Sequence, residues 1–286
     1  MQPSGVWALR PLADMTTEEF GAWSRLIEER TGQVVGKRRR AFLQTRLGQR
    51  LRELGLEDYQ TLRRRLDGGP RGALEWATLL DRLTVLETRF HRHAPSFAVL
   101  ENHLSGLSRR PATRPWMLWS VGCATGEEAY SLAISAAEVC RRAARPLDFG
   151  VIATDINQGA LRQARAARYD ARRLEALDDA RRARYLRAEG QDWRVEETLA
   201  ERVCYARLNV LELDQAPWTG LDVIFCQNLL IYFRRWRRRD LLNRLAERLA
   251  PGGLLVLGVG EITDWRHPLL RPVDDERVLA FTRIRE

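Results

Sequence analysis

Three groups of residues in this chain have types and spacings suited to chemistry on a bound ligand. The first is the stretch SVGCATGEEAYSLAI, Ser120 to Ile134. A Gly-rich turn follows an apolar run and leads into a helix-like segment, as in dinucleotide-binding loops. The glycines, however, fall as Gly122-x-x-x-Gly126 and not as Gly-x-Gly-x-x-Gly. Glu127 and Glu128 also stand where a pyrophosphate needs bare helix N–H groups. A phosphate-free ligand with an adenosine and a cationic end suits this loop. S-adenosyl-L-methionine, with its sulfonium and its ammonium, is such a ligand. Gly122 and Gly126 would let backbone approach it, and Glu127 or Glu128 would pair with the ammonium. Alternatively, both glutamates simply favour a helix N-terminus, an effect of ~0.3–1 kcal/mol each.

The second group is Asp155, which ends an apolar run 27 residues after Glu128. An acid at such a strand end is placed to accept hydrogen bonds from both ribose hydroxyls; it also reads as the N-cap of the following helix, DINQGALRQA. The third is CQNLLIYF, where Asn228 and Tyr232 emerge from an apolar strand. Those two also read as a cap and a packing ring. No metal chemistry is expected. His91 and His93 straddle an arginine, and Cys123, Cys140, Cys204 and Cys226 are far apart, without ligand spacing.

These residues need a scaffold of alternating strands and helices. WMLWSV, FGVIATDI, LDVIFCQNLLIYF and PGGLLVLGV read as strands, with helices after the first three. RVLAFTRI reads as a closing edge strand. That alternation predicts an α/β domain, a parallel sheet covered on both faces. Ligands then lie beyond the C-terminal strand ends, where the three groups fall. The alternation breaks between about 170 and 208, where an inserted antiparallel hairpin is expected. Before it the texture is helical. TTEEFGAWSRLIEER places Phe20, Trp23, Leu26 and Ile27 at helical spacing, and KRRRAFLQTRLGQRLREL does so with Phe42, Leu43, Leu47, Leu51 and Leu54. EDYQTLRRRLDGG and ALEWATLLDRLTV read as two more helices. The small, polar SGLSRRPATRP, Ser105 to Pro115, predicts a boundary. The expected domains are a helical 1–104 and an α/β 105–286.

The 286 residues are 45% hydrophobic and 30% charged, a globular composition. No apolar run approaches the ~20 residues of a membrane span, and MQPSGVWALRPLADM lacks the pattern of an export signal. A cytoplasmic protein with reduced thiols is expected. Net charge is +9 and the pI about 10.1, with Lys37 the only lysine. Such a surface suits an acidic partner, although an Arg-rich genome gives the same composition.

Taken together, ETRFHRH (Glu87–His93), GCATGEEAYSLAI, ATDIN, LNVL and FCQNLLIYF, followed by LAPGGLLVLG, occur in the order found in CheR-type protein-glutamate methyltransferases of chemosensory systems. The chain resembles that family over most of its length. The resemblance implies an N-terminal all-α domain and a Rossmann-like methyltransferase sheet carrying a small antiparallel β-subdomain. It implies S-adenosyl-L-methionine as cofactor and S-adenosyl-L-homocysteine as product. The implied substrates are glutamates on the cytoplasmic helical domain of methyl-accepting chemoreceptors. Thr88 and Arg92 match the Thr and Arg of the family's T-x-F-F-R motif. Glu128 matches its ammonium-holding acid and Asp155 its ribose acid. Asn209 with Val210, and Asn228 with Leu229, match pairs on the adenosine side. Tyr232 matches a tyrosine near the transferring methyl.

Three positions depart from the family pattern. His91 replaces the second Phe of that motif, Gln227 replaces an Arg, and Leu86 stands where some members have a ligand-contacting Asn. The short chain and the ETRF-x-RH variant resemble the members of type IV pilus clusters. The segment RAEGQDWRVEETL is shorter than in members that dock a receptor's C-terminal pentapeptide, implying no such tether.

A glutamate carboxylate, ionised above about pH 4.3, needs no general base to accept a methyl. Arg92 is the expected grip on it, four residues after Thr88 and on the same face if the segment is helical. The basic helices, through Lys37–Arg40, Arg46, Arg50 and Arg63–Arg65, suit steering of an acidic receptor surface or simply form a solvated face. A nucleic-acid methyltransferase is the rival suggested by the pI. Leu229 and Leu230 after Asn228 lack the Pro-Pro-aromatic turn of amino-methylating enzymes, so no nucleic-acid partner is expected. A non-catalytic receptor-binding regulator is the second rival.

Overall fold

The computed structural model of the protein describes residues 14–110 and 114–285. Most of the stretch read for an export signal, and the middle of the Ser105–Pro115 linker, lie outside the described residues. The chain divides into two compact units, with the break between Thr84 and Val85.

The first unit holds helices α1 (Thr17–Thr31), α2 (Arg40–Leu54), α3 (Tyr59–Arg65) and α4 (Gly69–Leu83). A reciprocal capping box starts α1: Thr16 Oγ1 accepts from the Glu19 amide, and the Glu19 carboxylate accepts from the Thr16 amide. Gly32 ends it in the left-handed conformation, φ 75°. Phe20, Trp23, Ile27, Leu43, Leu47, Leu51, Leu79 and Leu80 are buried, as their helical spacing predicts. Arg50 is not a free steering charge. It forks onto buried Glu75 with two 2.7 Å hydrogen bonds and also reaches Glu53. Arg39 and Arg46 lie over the Phe42 ring.

The second unit begins with α5 (Ala94–Ser108), followed by β1 (Trp116–Val121), α6 (Glu127–Arg142), β2 (Phe149–Asp155) and α7 (Gln158–Ala166). Next come β3 (Arg168–Asp170), α8 (Asp179–Tyr185), β4 (Leu186–Glu189), β5 (Asp192–Val195), α9 (Glu197–Ala200) and β6 (Val203–Arg207). β7 (Leu221–Cys226), α10 (Arg235–Ala246), β8 (Leu249–Leu257), β9 (Leu270–Pro272) and β10 (Leu279–Arg283) complete it. The main sheet runs β6-β2-β1-β7-β8-β10-β9, the first five strands parallel. The chain leaves β1 toward β2 on one side and returns to β7 on the other. The switch point is therefore β1, and the Gly122–Gly126 loop opens directly from it. Core residues fill both faces: Leu118, Val151 and Val223 on one, Trp119, Ile152 and Ile224 on the other.

Three sequence expectations shift. The compact units break at Thr84/Val85, twenty residues before the boundary expected at 105, because α5 belongs with the sheet. Its Phe97, Leu100 and Leu104 are buried in the same cluster as Leu118 and Val151. The composition change at Ser105–Pro115 marks the connection from α5 to β1. Second, the insertion is a three-stranded antiparallel sheet, β3-β5-β4, while Val203–Arg207 pairs in parallel with β2 as an edge of the main sheet. Third, RVLAFTRI supplies β10, an interior antiparallel strand. The edge is the three-residue β9, which ends in Pro272, a residue that blunts an edge.

Candidate active site

The C-terminal ends of β1, β2, β7 and β8 deliver loops to one side of the sheet. Between two of these loops and residues 85–97 lies a pocket with about 200 Å³ of water-accessible space. Its walls carry Thr88, Arg92, Gly122, Glu128, Asn228 and Tyr232, six of the positions singled out from the sequence.

Glu128 sits in the first turn of α6. Ser120 Oγ, next to last in β1, donates to its Oε1 at 2.7 Å. Burial pushes the Glu128 carboxyl up to about 7. The Ser120 hydrogen bond works against that rise, the neighbouring Glu261 carboxylate adds to it, and Arg92 opposes it. A group in this position gains from a cation in the pocket. Glu127 does not share the role. It is fully buried, accepts from Thr125 Oγ1 at 2.7 Å and pairs with Arg173 of the segment after β3. Of the two candidate acids, only Glu128 lines the pocket.

The glycines also divide. Gly122 (φ 78°) lines the pocket, and a Cβ there would meet Leu229 at 3.2 Å. Gly126 (φ 95°) faces inward: a Cβ would come within 2.9 Å of the Tyr169 and Tyr205 hydroxyls and of Ala164. It is needed for packing and not for approach to a ligand.

Asp155, Asn209, Val210 and Leu229 do not line this pocket but border its loop. Asp155 Oδ2 accepts from the Ala124 amide at 2.9 Å and Oδ1 from the Asn157 amide at 2.8 Å. The cap of α7 is Asn157, whose Oδ1 accepts from the Ala160 amide. Asp155 is therefore freed from the capping role and instead fixes the β1 loop. Leu208 donates to the Asp155 carbonyl, which places Asn209 and Val210 beside the end of β2. The Asn209 side chain accepts from the Leu211 amide.

Residues 85–93 are not helical, so Thr88 and Arg92 reach the pocket from an irregular segment and not from one helix face. Arg92 is exposed, with Nη1 donating to the Glu87 carbonyl at 2.9 Å. The amide of Phe90 donates to the Arg173 carbonyl, tying this segment to the β3 region.

The two unusual side chains play structural parts. His91 is buried against Phe97, its Nε2 3.0 Å from Arg181 Nη1, with Arg181 in turn bonded to Glu101. Burial and the Arg181 charge hold its imidazole down near 3, so it is neutral and accepts from the guanidinium. It is absent from the pocket walls. Gln227 is on the wall, but its amide donates to Ser96 Oγ and to the Leu257 carbonyl, joining α5 to β8.

Glu261 was not apparent from the sequence. It is 1% exposed, and its carboxylate accepts the amides of Asn228 (3.0 Å), Ile231 (3.3 Å) and Gly258 (2.8 Å). One buried anion thus holds the Asn228–Tyr232 wall against the turn after β8. Its position at a fourth strand end on the same side was the signal available. Cys123 lines the pocket as a buried thiol, pushed well above its usual range by burial.

The donor set fits S-adenosylmethionine: an acid for an ammonium, a second acid at the neighbouring strand end, and no basic phosphate cradle in the β1 loop. Among the described residues, no helix is long and apolar enough to cross a membrane and no acidic, Cys or His cluster could hold a metal ion. Comparison with known proteins agrees with the fit. Residues 86–273 match the family model described as CheR methyltransferase, SAM binding domain, and residues 18–84 match CheR methyltransferase, all-alpha domain. A chemotaxis protein methyltransferase of Klebsiella aerogenes is 35% identical over 88% of this chain and 84% of its own length. Counterparts from Salmonella typhimurium and Escherichia coli are 34% and 33% identical, each over 86% of this chain and 84% and 85% of their own lengths. With this domain pair and these relatives, the chain belongs to the CheR methyltransferase family and is an S-adenosylmethionine-dependent methyltransferase.

Proposed function

We propose that the protein methylates glutamate side chains on the cytoplasmic helical domain of methyl-accepting chemoreceptors, forming glutamyl methyl esters for sensory adaptation. The observation that carries this reading is the pairing in one pocket of a half-buried acid, Glu128, with an exposed guanidinium, Arg92, on a lining that carries no histidine or lysine. Bound S-adenosylmethionine supplies an electrophilic sulfonium methyl. Glu128 holds the ammonium end, and Asp155 takes the ribose hydroxyls while anchoring the β1 loop. Asn209, Val210, Asn228 and Leu229 would flank the adenosine, with Gly122 and Thr88 also on hand from the pocket lining.

Arg92 grips the substrate carboxylate through its planar fork, and Tyr232, on the wall after β7, shapes the pocket or donates to the second oxygen. With the cofactor bound, a carboxylate oxygen lone pair would form the C–O bond as the C–S bond breaks, and S-adenosylhomocysteine would leave. No proton changes hands, so the chain supplies alignment and exclusion of water. Orientation of this kind contributes roughly 7–11 kcal/mol in well-aligned systems. Charge is neutralised as anion and sulfonium become ester and thioether, so a partly desolvated pocket favours the transfer.

His91 and Gln227 leave this site intact, which argues against a degenerate regulator. The absence of a Pro-Pro-aromatic turn after Asn228 argues against an amino-methylating enzyme of nucleic acids. Receptor helices of this class place the enzyme in the cytoplasm. The test is labelling with methyl-tritiated cofactor: base-labile methyl groups should appear on chemoreceptors of the same organism. Label that resists base, or that enters nucleic acid, overturns the reading.

The insertion sheet supports a tether-free mode of action. Strands β4 and β5 have four residues each and join at a tight turn through Gly190. Deleting the C-terminal tail of a receptor is expected to leave its methylation rate within about twofold, since no intramolecular concentration effect is lost. A drop of tenfold or more would show that the sheet docks the tail.

A further inference from the structure

The large hydrophobic side chains left exposed are unevenly placed. Of the five among the described residues, Leu74 lies in the first unit; Val85, Ile231, Trp236 and Val259 lie in the second. Val85 and Ile231, 43% and 50% exposed, line the methyl-transfer pocket and form part of its rim. Val259 follows Gly258, whose amide shares the Glu261 carboxylate with the amide of Ile231. The two residues are therefore held on adjoining turns by one buried anion.

The same acid links this rim to α10. Arg238 donates to the carbonyls of Glu261 (2.7 Å) and Phe233 (2.9 Å), and Arg239 to that of Asp264 (3.0 Å). The first turns of α10 and the turn after β8 thus form one connected surface beside the pocket. The sequence there is Arg234-Arg235-Trp236-Arg237-Arg238-Arg239. Trp236 is 58% exposed with the Arg237 guanidinium 4.3 Å over its ring, and Arg234 and Arg235 are exposed. Arg235 reaches Asp264 at 3.5 Å with both side chains well exposed, which is a weak pairing.

An exposed Trp with arginines around it, on a helix that Arg238 ties to the carbonyls of Glu261 and of the rim residue Ile231, has the composition of an interface core. Its charge selects an acidic partner. We propose that the rim formed by Val85, Ile231 and Val259, extended by Trp236, Arg234 and Arg235, docks the acidic helix that carries the acceptor glutamate. The inference rests on the methylation reading above and names which surface recognises the substrate. In it, the apolar side chains pack against the helix face around the glutamate, and the arginines meet the acidic residues one or two turns away. Recognition is then built into the methyltransferase unit itself.

The test uses the full chain and a purified cytoplasmic helical fragment of a chemoreceptor. Trp236→Ala and the double variant Arg234→Glu/Arg235→Glu are compared with the wild type. Three quantities are read: KM for the fragment, kcat, and the affinity for S-adenosylhomocysteine by calorimetry. Both variants should raise KM by roughly tenfold while kcat and S-adenosylhomocysteine affinity stay within about twofold of wild type. Added salt should raise the wild-type KM more than that of the double variant. An unchanged KM in both variants, with normal S-adenosylhomocysteine binding, overturns the docking surface and leaves the methylation reading standing. A parallel loss of cofactor affinity and kcat also overturns it, since α10 would then only support the pocket. Wild-type protein that methylates no receptor fragment overturns the methylation reading, and the docking surface falls with it.

Discussion

Arg92→Lys is expected to lower methyl transfer at saturating cofactor by roughly tenfold or more, while cofactor affinity changes by less than about threefold. Arg92 is an exposed pocket wall residue whose Nη1 is fixed on the Glu87 carbonyl at 2.9 Å. That anchor sets the plane of the guanidinium and leaves the rest of the fork for a carboxylate. A lysine keeps the positive charge and so keeps the pull on Glu128, but an ammonium has no planar fork to be anchored on one side and bidentate on the other. The loss therefore falls on substrate alignment, and a tenfold loss corresponds to about 1.4 kcal/mol of barrier. Single-turnover rates and calorimetric affinities in one folded variant decide the matter. Reduced affinity with normal turnover at saturation would show that Arg92 serves the cofactor.

Glu128→Gln should weaken S-adenosylhomocysteine binding roughly 10- to 100-fold, because a charge-assisted hydrogen bond contributes about 1.5–3 kcal/mol. The wild-type protein should also bind more tightly as pH rises. The Glu128 carboxyl is pushed up to about 7, and only its ionised form pairs with the ligand's ammonium. About a tenth of the protein is ionised at pH 6 and about nine tenths at pH 8, so apparent affinity should rise close to tenfold across that interval. The glutamine variant should show no such slope. In the cofactor-free protein the sign is opposite. The folded state keeps a proton that the unfolded chain has released, so stability falls as pH rises from about 4.5 to about 7. Equal affinity and equal slope in wild type and variant would remove Glu128 from the ammonium site.

The elements that announced themselves in the sequence were those with a strong local signature. WMLWSV and FGVIATD are apolar runs ended by a glycine turn and an acid, and both are central strands whose ends bear the site. Asp155 and Asn228 could be placed because every parallel strand presents its C-terminal end to the same side. Glu261 could not be found in this way. A single Glu after a Gly-Val-Gly turn has no periodicity, and its role comes from three amides supplied by residues as far as 33 positions away in the chain. His91 looked like a defect in a motif because a motif compares side chains and not directions. In the fold it turns into the core toward Arg181. The short β9 and the place of β10 beside β8 were equally invisible, since register between distant strands is set by packing and not by propensity.

The break between Thr84 and Val85 has a consequence for how this enzyme can be taken apart. Among the described residues, every side chain lining the pocket lies at or after Val85. A fragment cut at 105, where composition changes, would discard Thr88, Arg92 and the core face of α5, whereas one starting at Val85 retains the whole lining. Among the described residues, the lining of the reaction chamber is thus written in a single contiguous stretch of the chain, outside the four helices that precede it in sequence.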